Sequence, residues 1–215
     1  MFGCSFLSCV NLISQSLVSK DLLHCLHQGV ACILIPALVC DHLENKYPGL
    51  TLKRMDELLS KDVYKHYKAW CKQKGKSVSA CSHRFSCQRF GKDTWASAPE
   101  LGSIYKAAVV KYMMYWCSDF LKQQDEGVCG GTLRIYTMHA FTKFQYLVDK
   151  NGPFFAPHVT PQVVGVVRKG LVFYQKLASM DKKRTDERKT YKIVPKFHSM
   201  LELSFYIADT NRNPR

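Results

Sequence analysis

Four soft side chains fall close together in this chain: Cys71, Cys81, His83 and Cys87, spaced C-x9-C-x-H-x3-C. Structural zinc sites pair their ligands as C-x2-4-C, because a short turn must deliver two thiolates to one tetrahedral ion. That pairing is missing, and Cys71 falls near the end of a helical pattern, where packing explains it. A second constellation is Asp21-x-x-His24, followed by His27. One helical turn puts Asp21 and His24 on the same side, within hydrogen-bond reach. A carboxylate so placed fixes an imidazole tautomer, either for catalysis or to lock a helix start; structural support is the reading the bare pattern carries. Glu100, Asp119, Asp149, Glu202 and Asp209 stand singly, whereas two-metal chemistry needs several carboxylates converging on ions about 4 Å apart. Neither a glycine-rich phosphate loop nor a P-loop lysine is present. We expect no catalytic residue, metal or cofactor.

Positive charge is the third feature. Of a formal +14, the stretch from Leu50 to Trp95 carries 11 Lys/Arg against 4 Asp/Glu. Arg168 to Lys196 carries 10 against 3, and the remainder is neutral. Within these blocks, Lys65, Lys68, Lys72, Lys74 and Lys76 share their segment with Tyr64, Tyr67 and Trp70. Lys182, Lys183, Arg184, Arg188 and Lys189 form the second group. Such clusters contact phosphates without reading sequence, and an exposed aromatic ring can stack on unpaired bases. These ten residues are the expected nucleic-acid contacts. Solvated helix faces are the plain alternative, and Tyr67 and Trp70 also fit a core stripe.

The elements that must position these groups read as helices. Asp21 opens the first, which runs to about Asn45 with Pro36 as an expected kink. The second starts near Thr51 and buries Met55, Leu59, Val63, Tyr67 and Trp70 in steps of three and four. A long basic connection at about 76–98 follows. Pro99 suits the first position of a third helix, with Tyr105, Val109, Tyr112, Trp116 and Phe120 as its stripe. The fourth spans about Thr132 to Lys150, facing Leu133, Tyr136, Ala140, Phe144 and Leu147 inward. Thr160-Pro161 reads as N-cap and first-turn proline of the fifth. A sixth begins near Pro195 and fades by Asn211. No stretch alternates with period two. The expected fold is all-α, an irregular bundle of about six helices: residues 1–20 poorly structured, then one helical domain over 21–215. Ten cysteines include Cys25, Cys32, Cys40 and Cys117 inside apolar stretches, which points to reduced thiols in a nuclear or cytoplasmic protein. Met1 to Val18 has no basic start or clear cleavage site. The longest apolar run, Gly29 to Cys40, is shorter than the roughly 20 residues a membrane helix needs, so no membrane partner is expected.

The stretch Asp21 to Gly29, DLLHCLHQG, resembles the [C/D]-x-x-H signature of transposases of the DDE/RNase H-like group, including hAT and CACTA-type elements. The wider chain is similar to transposon-derived reading frames of unicellular algae. The landmarks are Tyr67-Lys68-Ala69-Trp70-Cys71, Phe85-Ser86, Tyr105-Lys106-Ala107-Ala108, Trp116, Pro195-Lys196-Phe197-His198 and Asn213-Pro214-Arg215. The resemblance implies the helical insertion region of such a transposase, with Asp21 and His24 supporting a catalytic core whose aspartate-bearing strands have no counterpart here. It implies a non-catalytic helical module with non-specific nucleic-acid binding. Two alternatives stay open: a helical protein-interaction protein without nucleic-acid function, and a metal-dependent nuclease using, for instance, Asp21 with Glu202.

Overall fold

The computed structural model describes residues 22–76 and 81–214. The segment 1–20 and Asp21 lie outside these. Among the described residues the protein is an all-α packed bundle of six helices without strands, with an isolated bridge between Phe154 and Arg212.

A π-helical stretch, Leu23–Val30, runs directly into the α-helix Ala31–Lys46, and together they form α1. Every residue from Ala31 to Glu44 is buried. A helix apolar on all sides belongs at the centre of a bundle, and α1 is packed against α3, α4 and α6, defined below. The span His24–Lys46 is long and apolar enough to cross a membrane; an 18-residue stretch of it has mean hydropathy 1.4 and is 94% buried within the bundle. Pro36 brings no N–H, which leaves the Cys32 carbonyl without a helical partner. Leu101 N–H fills that vacancy at 2.7 Å, and the helix continues through the proline.

Helix α2 comprises Leu52–Leu58, a π-helical turn Leu59–Val63, and Tyr64–Gln73. The Thr51 hydroxyl caps it by accepting from Arg54 N–H at 3.2 Å. Its expected stripe from Met55 to Trp70 is buried at every position.

Over its described residues 81–98 the basic connection is packed against the bundle. Phe85 and Phe90 are wholly buried, and Phe85 meets Tyr67 and Trp116 at ring separations of 5.2 and 5.6 Å. The third helix starts later than Pro99 suggests. Glu100 N–H donates to Phe90 O and Leu101 N–H to Cys32 O, so the backbone after Pro99 serves its neighbours and cannot coil. Helix α3 is therefore Ala107–Gln124.

Helices α4 (Gly131–Lys150), α5 (Thr160–Asp181) and α6 (Pro195–Thr210) complete the bundle, each packed on the next. Three expectations shift. Tyr112 is half-buried, and Tyr136, read as inward, is 53% exposed. Thr160, read as a cap, is the first residue inside the helix, one position past the N-cap Val159, and its hydroxyl donates to Asn211 Oδ1 at 2.6 Å. The fully buried Arg134 occupies the inward face of α4, where only apolar residues had been expected.

Candidate functional site

Two polar concavities are built on this frame, and they differ in how charge is balanced. The larger is an open groove of about 800 Å³ between α3, α4 and the end of α2. Its cations are Lys74, Lys76, Lys111, Lys122, Lys143 and Lys150, against the two carboxylates Asp119 and Asp149.

Helical periodicity places them. On α3, Lys111, Tyr115, Ser118 and Lys122 recur at intervals of four, three and four, and all line the groove. On α4, His139, Lys143, Tyr146 and Lys150 repeat the same intervals. Ser118 and Thr142 meet where the two helices face each other, with their hydroxyls 3.4 Å apart. Their small side chains keep the floor low. From α2, the chain turns through a Schellman motif: Lys76 N–H donates to Cys71 O at 2.7 Å and Gly75 N–H to Lys72 O at 3.2 Å. Gly75 takes φ +64°, the left-handed conformation this cap requires. The turn sends Lys76 back across α3, with its ammonium 5.2 Å from the centre of the Tyr112 ring.

The acids of the groove already have partners within it. Asp119 accepts from the Trp70 indole at 2.8 Å. Asp149 accepts from Lys111 at 2.7 Å, Gln145 at 2.9 Å and Tyr115 at 3.3 Å. Burial, reinforced by the Asp149 charge, raises the Tyr115 phenol, so it remains a donor. Burial, with Lys122 and Lys143 adding to it, holds the His139 imidazole below its usual value and neutral at pH 7. Tyr146 is 44% exposed, with the ammonium groups of Lys143 and Lys150 at 5.1 and 5.8 Å from its ring centre.

The second concavity is smaller, about 230 Å³. At its wall Arg134 grips Asp125 with two bonds of 2.6 and 2.7 Å and reaches Asp41 at 2.6 Å. His42 adds a 2.9 Å contact to Asp125, and the Tyr191 hydroxyl donates to Asp41 at 2.8 Å. Burial alone would raise the Asp125 carboxyl, but the bonds from Arg134 and His42 outweigh it and leave the group below its usual range. Gly131 makes the grip possible, since a Cβ there would lie 2.0 Å from Asp125 O. Glu44 faces Arg184 at 3.3 Å, Arg188 at 3.9 Å and Lys92 at 3.9 Å. Lys92, fully buried, donates to the carbonyls of Trp95, Ser97 and Lys189 at 2.6–3.2 Å.

The expected contact residues therefore separate. Lys74 and Lys76 line the groove. Lys65, Lys68 and Lys72 are exposed, but at about 100° per residue they project from α2 roughly opposite Trp70 and Lys74. Lys182, Lys183 and Lys189 are exposed and line neither concavity. Arg184 and Arg188 are drawn into pairs with Glu44 and Asp186. The two basic blocks do not merge into one track, for no residue of the second lines the groove. Lys111, Lys122, Lys143 and Lys150 take that place. They were hidden outside the two basic blocks, where the charges sum to zero, and the signal that finds them is the four-three-four spacing shared with His139, Tyr115 and Tyr146.

Asp21 lies outside the described residues, and His24 is exposed at the start of α1. Cys71, Cys81, His83 and Cys87 do not assemble. Cys81 Sγ donates to His83 O and Cys87 Sγ to Leu52 O, and burial pushes the Cys87 thiol up to about 12. Among the described residues no group of three or more His, Cys, Asp or Glu side chains is placed to hold a metal ion. Glu202 sits on α6 beside His198, 3.4 Å away. Comparison with protein-family models, with curated proteins and with solved structures found no match to this chain.

Proposed function

We propose that this chain is a non-catalytic binding module that takes nucleic acid along the α3–α4 groove by phosphate contacts, without reading sequence. One observation carries the reading: six lysines and three tyrosines line one open concavity that holds only two acids. Uncompensated lysines attract a phosphate backbone by charge and by counterion release. A transposase-derived origin is part of this proposal, and what supports it is that the described residues are helical, as the insertion region of such an enzyme would be.

Filter binding with labelled mixed-sequence oligonucleotides, single-stranded and duplex, tests this at about 50 mM salt, where backbone contacts are strong. Retention should weaken steeply with salt, with a log–log slope of roughly −3 to −5 for a groove of this charge. Lys111→Gln combined with Lys143→Gln and Lys150→Gln should abolish it. No retention of either oligonucleotide at low salt would reject the reading and favour a helical protein-interaction role.

A further inference from the structure

The groove is amphoteric in cross-section, and that decides what enters it. Lysine ammonium groups stand along both walls, Asp119 accepts from the Trp70 indole, and Asp149 accepts from Lys111 as well as from Tyr115 and Gln145. A carboxylate is an acceptor only. It repels a phosphate and suits the amino groups on base edges, as when Asp or Glu accepts from cytosine N4. A bare polyanion would meet these acids with nothing to offer them. The bases of a duplex are paired and stacked inside, and a stiff double helix presents its phosphates on a convex surface. Unpaired nucleotides present both chemistries at once.

The aromatic surface points the same way. Tyr146 stands 44% exposed, with Lys143 one turn before it and Lys150 one turn after. Their ammonium groups approach within 5.1 and 5.8 Å of its ring centre. An exposed aromatic ring with mobile lysine cations over it offers a base a stacking partner, once an ammonium swings aside, and its adjoining phosphates a counter-charge. Lys143 and Lys150 lie about 10 Å apart along α4, and Lys111 and Lys122 about 16 Å along α3, so a bound strand finds cations on both sides over the length of the groove.

Resting on the nucleic-acid reading, we infer that the ligand is single-stranded, its phosphates on the lysine walls and one base stacked on Tyr146. Fluorescence anisotropy of the full chain with a labelled mixed-sequence single strand, its duplex and inorganic polyphosphate, all at low salt, tests this. The single strand should bind at least about tenfold more tightly than the duplex, and polyphosphate should compete poorly. Tyr146→Ala should weaken single-strand binding roughly 5- to 150-fold, the range for loss of one base–aromatic stack, and leave duplex binding nearly unchanged. Tyr146→Phe should restore it, and an unchanged thermal melt confirms that the variants fold. Equal affinity for single strand and duplex, or an inert Tyr146→Ala, overturns this inference. If Lys143→Gln with Lys150→Gln still weakens both ligands, the broader nucleic-acid reading survives that loss. Failure of every ligand to bind removes both.

Discussion

The two concavities draw on similar cations and put them to opposite use. In and around the small one Arg134, Lys92, Arg184 and Arg188 face Asp125, Asp41, Glu44 and Asp186, and charge is nearly spent within the fold. In the groove six lysines meet two aspartates, and charge remains for a ligand. On the proposed reading, a structural cation and a binding one differ in how far the carboxylates and carbonyls around them use up their charge, not in their place in a basic run of sequence; even in the groove Lys111 is paired, with Asp149. The comparison also links the regions. The Arg134–Asp125 grip closes the α3–α4 turn, and that turn sets the two groove walls side by side.

The sharpest way to break the comparison is to remove a structural cation. Arg134→Ala strands Asp125 and Asp41 in the interior, and losing one partner of a buried pair costs about 3–5 kcal/mol. Urea unfolding should show that loss, and the groove should lose oligonucleotide binding with it. Arg134→Lys should recover little, because an ammonium cannot make the bidentate fork. The pH dependence follows from the same site. The Asp125 carboxyl is held below its usual range in the folded protein, so its stabilisation is complete above the unfolded value of about 4 and is lost as pH falls through the folded one. Burial raises the Glu44 carboxyl despite Lys92 and Arg184, and its contribution has the opposite sign, favouring the fold as pH falls. The urea midpoint of wild type should therefore drop less steeply in acid than that of Glu44→Gln, which keeps only the Asp125 effect.

Lys92 comes next. Its ammonium ties Trp95 and Ser97 of the connection to Lys189 of the second basic block. Lys92→Met leaves three carbonyls without their donor and should cost about 2–3 kcal/mol, read as a lower denaturant midpoint with a folded circular dichroism spectrum.

These two residues also show where sequence reasoning reached and where it stopped. Helix number, most boundaries and the α2 stripe follow from apolar periodicity, because burial of one helical face is a local, repeating demand. The start of α3 did not follow, since Leu101 N–H is committed to Cys32 O, a partner 69 positions away. Arg134 and Lys92 were unreadable for the same reason: an isolated basic residue looks solvated until the fold brings Asp125 or three carbonyls to it. The groove was half legible. Lys74 and Lys76 stood out in a charge window, whereas Lys111, Lys122, Lys143 and Lys150 needed helical phase, which a sum over a segment discards.

A smaller effect sharpens the distinction between the basic groups. Lys143→Gln with Lys150→Gln should lower oligonucleotide affinity about tenfold and flatten the salt slope by roughly 1–2, as expected for lysines on phosphate. Lys182→Gln with Lys183→Gln, equally charged and exposed but outside the groove, should stay within about twofold of wild type. If the second pair matters as much as the first, exposure alone governs binding and the groove has no special standing.

The smallest effect belongs to His139. Its imidazole is kept neutral by burial and by Lys122 and Lys143, each of which lines the groove with it. A phosphate bound between those lysines offsets their repulsion and favours the protonated ring, so binding takes up a proton and tightens as pH falls. An imidazole is the side chain whose ordinary titration falls near this window. Between pH 7 and about 5.5 the affinity for a single strand should rise a few-fold, and His139→Gln should make the profile flat while leaving binding at pH 7 unchanged. A profile that stays steep in His139→Gln would place the responsive proton elsewhere and take His139 out of the binding surface.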